Sequence, residues 1–186
     1  SKTSRVYSLM NSNSMVSAYE AANYLGERIE FVTEKQAGAG KLTDSDVNLL
    51  VVPFSPNVLD GALEGIAEFI KNGGEVVIVG EESLSYNQHN KPLDAETRKY
   101  VFENSTVVPV EFYTEEETAG MDSWGTGSAR DNLKTPTVTG LWNVLREVKN
   151  ECNDDIPVVV TDAINGSVIW GVNYTTAIYN DKLLIN

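Results

Sequence analysis

The stretch Glu75–Asn90, "EVVIVGEESLSYNQHN", runs an apolar segment straight into a Gly-Glu-Glu-Ser turn. A sharp turn at the end of a buried strand is where many α/β hydrolases present a nucleophile. Here it presents Glu81, Glu82 and Ser83. Two chemistries are open to these residues. Ser83 lies six positions before His89, the only histidine of the chain, and Asp94 or Glu82 is at hand to orient an imidazole. That set is the minimum for a serine hydrolase relay. Alternatively Glu81 and Glu82 would serve as acid and base in glycoside cleavage, which requires two carboxyls about 5–10 Å apart facing one bond.

Neither pattern is complete. The G-x-S-x-G signature is absent, since the turn reads G-E-E-S-L-S. A histidine within "NQHNK" reads as a solvated loop residue. Adjacent strand residues point to opposite faces, so neighbouring glutamates are poorly placed to work as a pair. Near a strand end such carboxylates ordinarily cap helices or accept from loop amides. A hydrolase built on Ser83 and His89 stands as an alternative, behind a non-catalytic role for the turn.

Other chemistries are narrowed by composition. Cys152 is the single cysteine, which removes an intrachain disulfide framework and a cysteine zinc site. It reads as a small, partly buried apolar residue. One histidine excludes a multi-histidine metal centre. The stretch "AGAGK" does not run into Ser or Thr before a helix, as a phosphate loop would. No cofactor is expected. The net charge of −13 opposes binding to a nucleic-acid backbone. No apolar run approaches the roughly 20 residues that span a bilayer, so no membrane partner is expected. One free cysteine fits the cytoplasm slightly better than a secreted setting. Sequons at Asn104, Asn165 and Asn173 carry little weight without a secretory context.

The elements that would hold the turn follow from hydrophobic periodicity. "RVYSLM" (Arg5–Met10) reads as a first strand. Met15, Ala18, Ala22, Leu25 and Ile29 then recur at helical spacing. "EFVTE" (30–34) reads as a second short strand, and 35–46 as a loop. Val47–Ser55 is nearly continuous in apolar residues, as in a central parallel strand covered on both faces. A helix over 60–74 presents Leu59, Leu63, Ile66, Phe69 and Ile70 to the core, and Gly73-Gly74 stops it. "EVVIV" is the next strand. A helix capped by Asp94 follows, then a strand from Thr106 that Pro109 assigns to an edge. The last helix starts near Thr135-Pro136 and buries Val138, Leu141, Trp142, Leu145 and Val148. Beyond Cys152, three β-rich runs separated by Asn165-Gly166 and Asn180-Asp181 read as an antiparallel meander.

The fold class predicted is therefore α/β: a flavodoxin-like three-layer sandwich with a mostly parallel sheet and a short C-terminal antiparallel β extension. The domain reading is 1–152 for the α/β part and 153–186 for the meander. Because "KLLIN" is an apolar strand at the terminus, the chain is expected to be cut from something longer. Ligands of such sheets favour the carboxyl ends of the strands. That rim would gather Asn11, Asn13, Ser55, Glu81, Glu82 and Ser83, polar enough for a sugar or another small ligand. The 113–134 loop, with Trp124 and Arg130, is the candidate interface, because Trp and Arg are favoured anchors. Trp124 reads equally as a lid on its own domain.

The order of pieces resembles the glutamine-amidotransferase-like domain of beta-galactosidase-type glycoside hydrolases. The matching pieces are "RVYSLMNSNS", the strand ending at Pro53, the helix ending in Gly73-Gly74, then "EVVIVG" and "YNQHNKPL". The tail "GSVIWGVNYTTAIYNDKLLIN" resembles the start of the small β domain that follows in those enzymes. The resemblance implies an accessory or oligomerisation domain whose catalytic carboxylates lie in a separate (β/α) barrel. It also implies that barrel as partner, a homo-oligomer (a trimer in that family), and no catalytic residue here. A working amidotransferase needs a thiolate at the turn; Glu81, Glu82 and Ser83 supply none. The competing reading is a stand-alone flavodoxin-like small-molecule or sugar binder.

Overall fold

A computed structural model describes residues 2–26, 28–44, 46–110, 136–151, 160–169, 172, 174, 176–180 and 182–185. Its contacts divide the chain into two compact units: Ser1–Met15 with Val32–Pro136, and Val16–Phe31 with Thr137–Asn186.

In the first unit, β1 (Leu49–Val52), β3 (Glu75–Val79) and β5 (Thr106–Val108) form a parallel sheet in the order β1-β3-β5. This is the α/β class that the alternating pattern predicted, with helices α3 (Ala62–Lys71) and α4 (Ala95–Glu103) in the connections and α2 (Glu34–Gly38) ahead of β1. The register places Leu50 beside Val76 and Val52 beside Ile78. These residues share one face by alternation. Val52, Val76 and Ile78 pack there in one core with Ala37, Leu63, Ile66, Phe69 and Val101 of the three helices. Val77 and Val79 are wholly buried on the opposite face. A second, two-residue parallel pair joins β2 (Asn57–Val58) to β4 (Tyr86–Asn87).

"EVVIV" is the central strand. "LLVV" was expected to be central, but it is the edge, with β3 on one side only among the described residues. Pro53 fits that place. Glu75 N–H donates to the Asn48 carbonyl, and Leu49 pairs with Glu75. In a parallel ladder this turns the backbone groups of even-numbered residues toward β3, and those of Leu49 and Val51 away. Pro53 continues the outward series, where a missing donor costs no ladder bond.

Arg5–Met10, expected as a strand, lies in helix α1 (Lys2–Asn23). No glycine or proline interrupts those residues, and extending a formed helix needs no new nucleus. "EFVTE" is not a strand either. Thr33 accepts from Gln36 N–H, and the Gln36 side chain accepts from Thr33 N–H, a capping box that starts α2 at the last residue of the expected strand and carries it into the expected loop. Asp94 caps α4 as read, accepting from Thr97 N–H at 2.8 Å. Leu59, assigned to the buried side of α3, precedes that helix and is exposed. Gly65 permits α3 to touch α2: a Cβ there would stand 2.1 Å from the Ala37 carbonyl oxygen.

In the second unit, α5 (Val138–Glu151) buries Leu141, Trp142, Leu145 and Val148, as its spacing predicted. Trp142 Nε1–H donates to the Tyr24 carbonyl, and Tyr174 O–H to that of Leu25. Ala18, Ala21 and Leu25 are buried, whereas Met15, placed on the same stripe, is exposed. Strands β6 (Thr176–Tyr179) and β7 (Lys182–Ile185) form an antiparallel hairpin about Asn180. An antiparallel bridge joins Thr161 to Val168 around Asn165-Gly166. Both turns are those marked in the sequence.

Candidate functional site

The turn after β3 begins at Gly80, whose φ of 82° lies in the left-handed region that glycine tolerates. A Cβ there would also meet the Phe54 ring at 2.5 Å. The chain then exposes Glu81 and Glu82 and buries Ser83 completely. Ser83 Oγ–H donates to the Val79 carbonyl at 2.7 Å, and Ser83 Oγ accepts from Ser55 N–H at 3.0 Å. The hydroxyl is thus spent on joining the ends of β3 and β1. Leu84 follows at φ 56°, a sparsely populated conformation for a bulky residue that costs about 1–3 kcal/mol. It is held there by its N–H, which donates to the Ser55 carbonyl at 2.8 Å.

Arg98 of α4 closes the turn from outside. Its guanidinium donates to the carbonyls of Leu84 and Ser83, each at 3.0 Å, and to that of Glu81. Its plane lies over the Phe102 ring, 4.1 Å from the centroid. Partial burial draws its pKa below the usual arginine value, and the side chain stays charged. A cation collecting three outward carbonyls stabilises a turn that would otherwise present a concentration of negative dipole ends.

The other rim residues divide. Asn11 Nδ2 donates to the Phe54 carbonyl at 2.9 Å and to Ser55 Oγ at 3.1 Å. Ser14, wholly buried, accepts from Phe54 N–H at 2.9 Å and donates to the Asn11 carbonyl. Asn11, Ser55 and Ser83 therefore meet in one hydrogen-bonded chain. Asn13 is exposed beside it, and the two glutamates stand on the solvent side of the turn. His89 is exposed, and its backbone N–H donates to Asn87 Oδ1. The neighbouring loop is tied down by Asp60, which accepts from Asn87 Nδ2 at 3.0 Å and Gln88 Nε2 at 2.8 Å. These bonds, Asn87 first, hold the Asp60 carboxyl below the usual range. Trp124, Arg130 and Cys152 lie outside the described residues.

Sequence reasoning missed Arg98 and the Asp60 network. Arg98 sits in an unremarkable polar helix, and its three acceptors are backbone atoms 14–17 positions away. A cavity of about 450 Å³ is bounded by Asn11, Val32, Leu50, Val51, Ser55 and Ile66 among others. Its walls are chiefly apolar.

No family model matches this chain. No curated protein matches it either. The chain is similar in fold to the crystal structure of apo exo-carrageenase GH42 from Bacteroides ovatus, with a TM-score of 0.57 at 18% sequence identity. The similarity covers 93% of this chain and 19% of that one. The chain thus spans about a fifth of the length of the solved structure it matches. Among the described residues, no helix is long and apolar enough to cross a membrane.

Proposed function

We propose that this chain is a non-catalytic accessory domain of a carbohydrate-active glycoside hydrolase, working through contact with a catalytic (β/α) barrel of the same parent protein and with further copies of itself. The observation that carries the reading is the match in fold over nearly the whole chain to a fifth of a GH42 enzyme. The state of the turn supports it. Ser83 Oγ is occupied on both sides by backbone groups, leaving it no open path to a general base. Glu81 and Glu82 stand on the solvent side of a turn whose carbonyls are held by Arg98. The trimer of the resembling family is the assembly we assign to the parent, with Trp124 and Arg130 as its anchors.

The test is to assay the isolated chain against nitrophenyl glycosides, nitrophenyl esters and glutamine, and then the longest natural polypeptide that contains it. The expected result is turnover of glycosides by the longer protein alone. Turnover by the isolated chain that disappears in Glu82→Gln or Ser83→Ala would overturn the reading.

A further inference from the structure

The cavity of about 450 Å³ lies wholly within the first unit and has an apolar floor and a mixed mouth. Val52, Val58, Ile66 and Leu84 line it and are buried. Met15, Leu59, Glu34 and Lys35 line it and are exposed, so they mark the way in. Away from that mouth, the side-chain hydrogen-bonding capacity left over lies in one place. Asn11 Nδ2 donates to the Phe54 carbonyl and to Ser55 Oγ, which fixes the orientation of the amide. Asn11 Oδ1 then accepts from no group among the described residues. Ser55 Oγ accepts from Asn11 and donates to none of them. One acceptor and one donor are thus left on two lining residues that a 3.1 Å hydrogen bond already holds together.

We propose that this cavity binds a neutral, apolar molecule of two rings bearing one hydroxyl, with that hydroxyl between Asn11 and Ser55. The ligand oxygen accepts from Ser55 Oγ–H, and its proton is donated to Asn11 Oδ1. One group of the ligand then satisfies both leftover positions. The volume sets the size. An apolar cavity of about 150 Å³ accommodates benzene, and about 450 Å³ leaves room for a second ring. The walls set the polarity. A water held in a cavity needs roughly two to four polar partners. The leftover pair serves one water, and the apolar floor gives others little to hold. Displacing such poorly held water favours an apolar ligand. A sugar fits less well, because several of its hydroxyls would lie on apolar walls without partners. The mouth sets the charge. Glu34 and Lys35 stand there with opposite signs, and the Glu34 carboxylate accepts from Leu59 N–H, so the entrance favours no ion. This inference goes beyond the accessory-domain reading and does not rest on it.

The experiment is an NMR titration of the isotope-labelled 186-residue chain with 2-naphthol, followed by amide shifts. The expected result is saturable movement of the Val52, Ser55 and Ile66 signals. Naphthalene, which lacks the hydroxyl, should bind roughly tenfold more weakly, the worth of a well-formed hydrogen bond. The anion 2-naphthoate should bind no better than naphthalene. Ser55→Ala keeps the backbone bonds of that position to Ser83 and Leu84, and should bring 2-naphthol down to the affinity of naphthalene. Leu59→Trp fills the mouth from an exposed position and should abolish binding while the Val77 signal stays in place. Val32→Trp does the same from a half-buried wall, and decides the matter if the first variant fails to fold. The proposal is overturned if 2-naphthol gives no saturable shift, or shifts only amides outside the cavity. It is equally overturned if naphthalene or 2-naphthoate binds as tightly as 2-naphthol, if Ser55→Ala leaves the affinity unchanged, or if binding survives a folded filling variant.

Discussion

The Ser55 N–H donates to Ser83 Oγ at 3.0 Å, joining the end of β1 to the turn after β3 across 28 positions of sequence. A residue placed where a nucleophile would stand is here a fastener between two strand ends. Ser83→Ala should leave the Ser55 amide unpaired and lower stability by about 1–3 kcal/mol. Thermal melting would show a fall of several degrees, and any activity of the longer protein should be unchanged once the variant is folded.

Arg98 should not tolerate its usual substitute. Lysine keeps the charge but loses the fork that reaches several carbonyls at once and the plane that lies over Phe102. Arg98→Lys is expected to cost about 1–2 kcal/mol by denaturant titration, with local loss of amide protection around Ser83 and Leu84. A variant as stable as the parent would show that the turn holds itself.

The pH dependence has a definite sign. Hydrogen bonds hold the Asp94 carboxyl below its usual range, the Thr97 backbone amide first, and Asn87 does the same for Asp60. A depressed folded pKa contributes stability that is present above the unfolded value, about 3.9. That contribution is lost as pH falls through the folded value. Comparing melting temperatures of the parent and Asp94→Asn from pH 7 down to about 2 should therefore show any advantage of the carboxylate shrinking on the acid side. A difference that grows with acid would contradict the assignment.

Gly65→Ala tests the contact between α2 and α3. Helix propensity alone favours alanine by about 1 kcal/mol. The new methyl would meet backbone atoms of Ala37, which cannot rotate away. Overpacking of this kind costs about 1–3 kcal/mol, so the expected result is net destabilisation in a chemical melt.

Legibility followed the range of the interactions. "EVVIV", the Asp94 cap and the Asn165 and Asn180 turns are local statements, and each was readable. "LLVV" was legible as a strand but not in its place or its burial: only Val52 is buried and the other three are half-buried. Strand order is set by pairing over distances that a sequence window does not contain. Pro53 held the clue to an edge, read only as the end of the strand. Thr33 and Gln36 carry the capping box that starts α2, a pairing of side chains with main-chain amides that the strand reading of 30–34 leaves out. At the site, hydrogen bonds join Asn11, Ser55 and Ser83 although Asn11 lies within α1 and not at a strand end, while Arg98 was invisible because the acceptors its guanidinium reaches are main-chain oxygens.

The side of β1 away from β3, beside which no strand lies among the described residues, has a consequence for handling the protein. Such an edge is a template on which other molecules can pair and grow into aggregates. Pro53 limits the template to four residues, and the charge of −13 keeps molecules apart. That second safeguard reaches about 10 Å in 0.1 M salt but only about 3 Å in 1 M. Concentrated stocks should therefore scatter more light as salt is raised at neutral pH, and a lysine at Val51 should clear them.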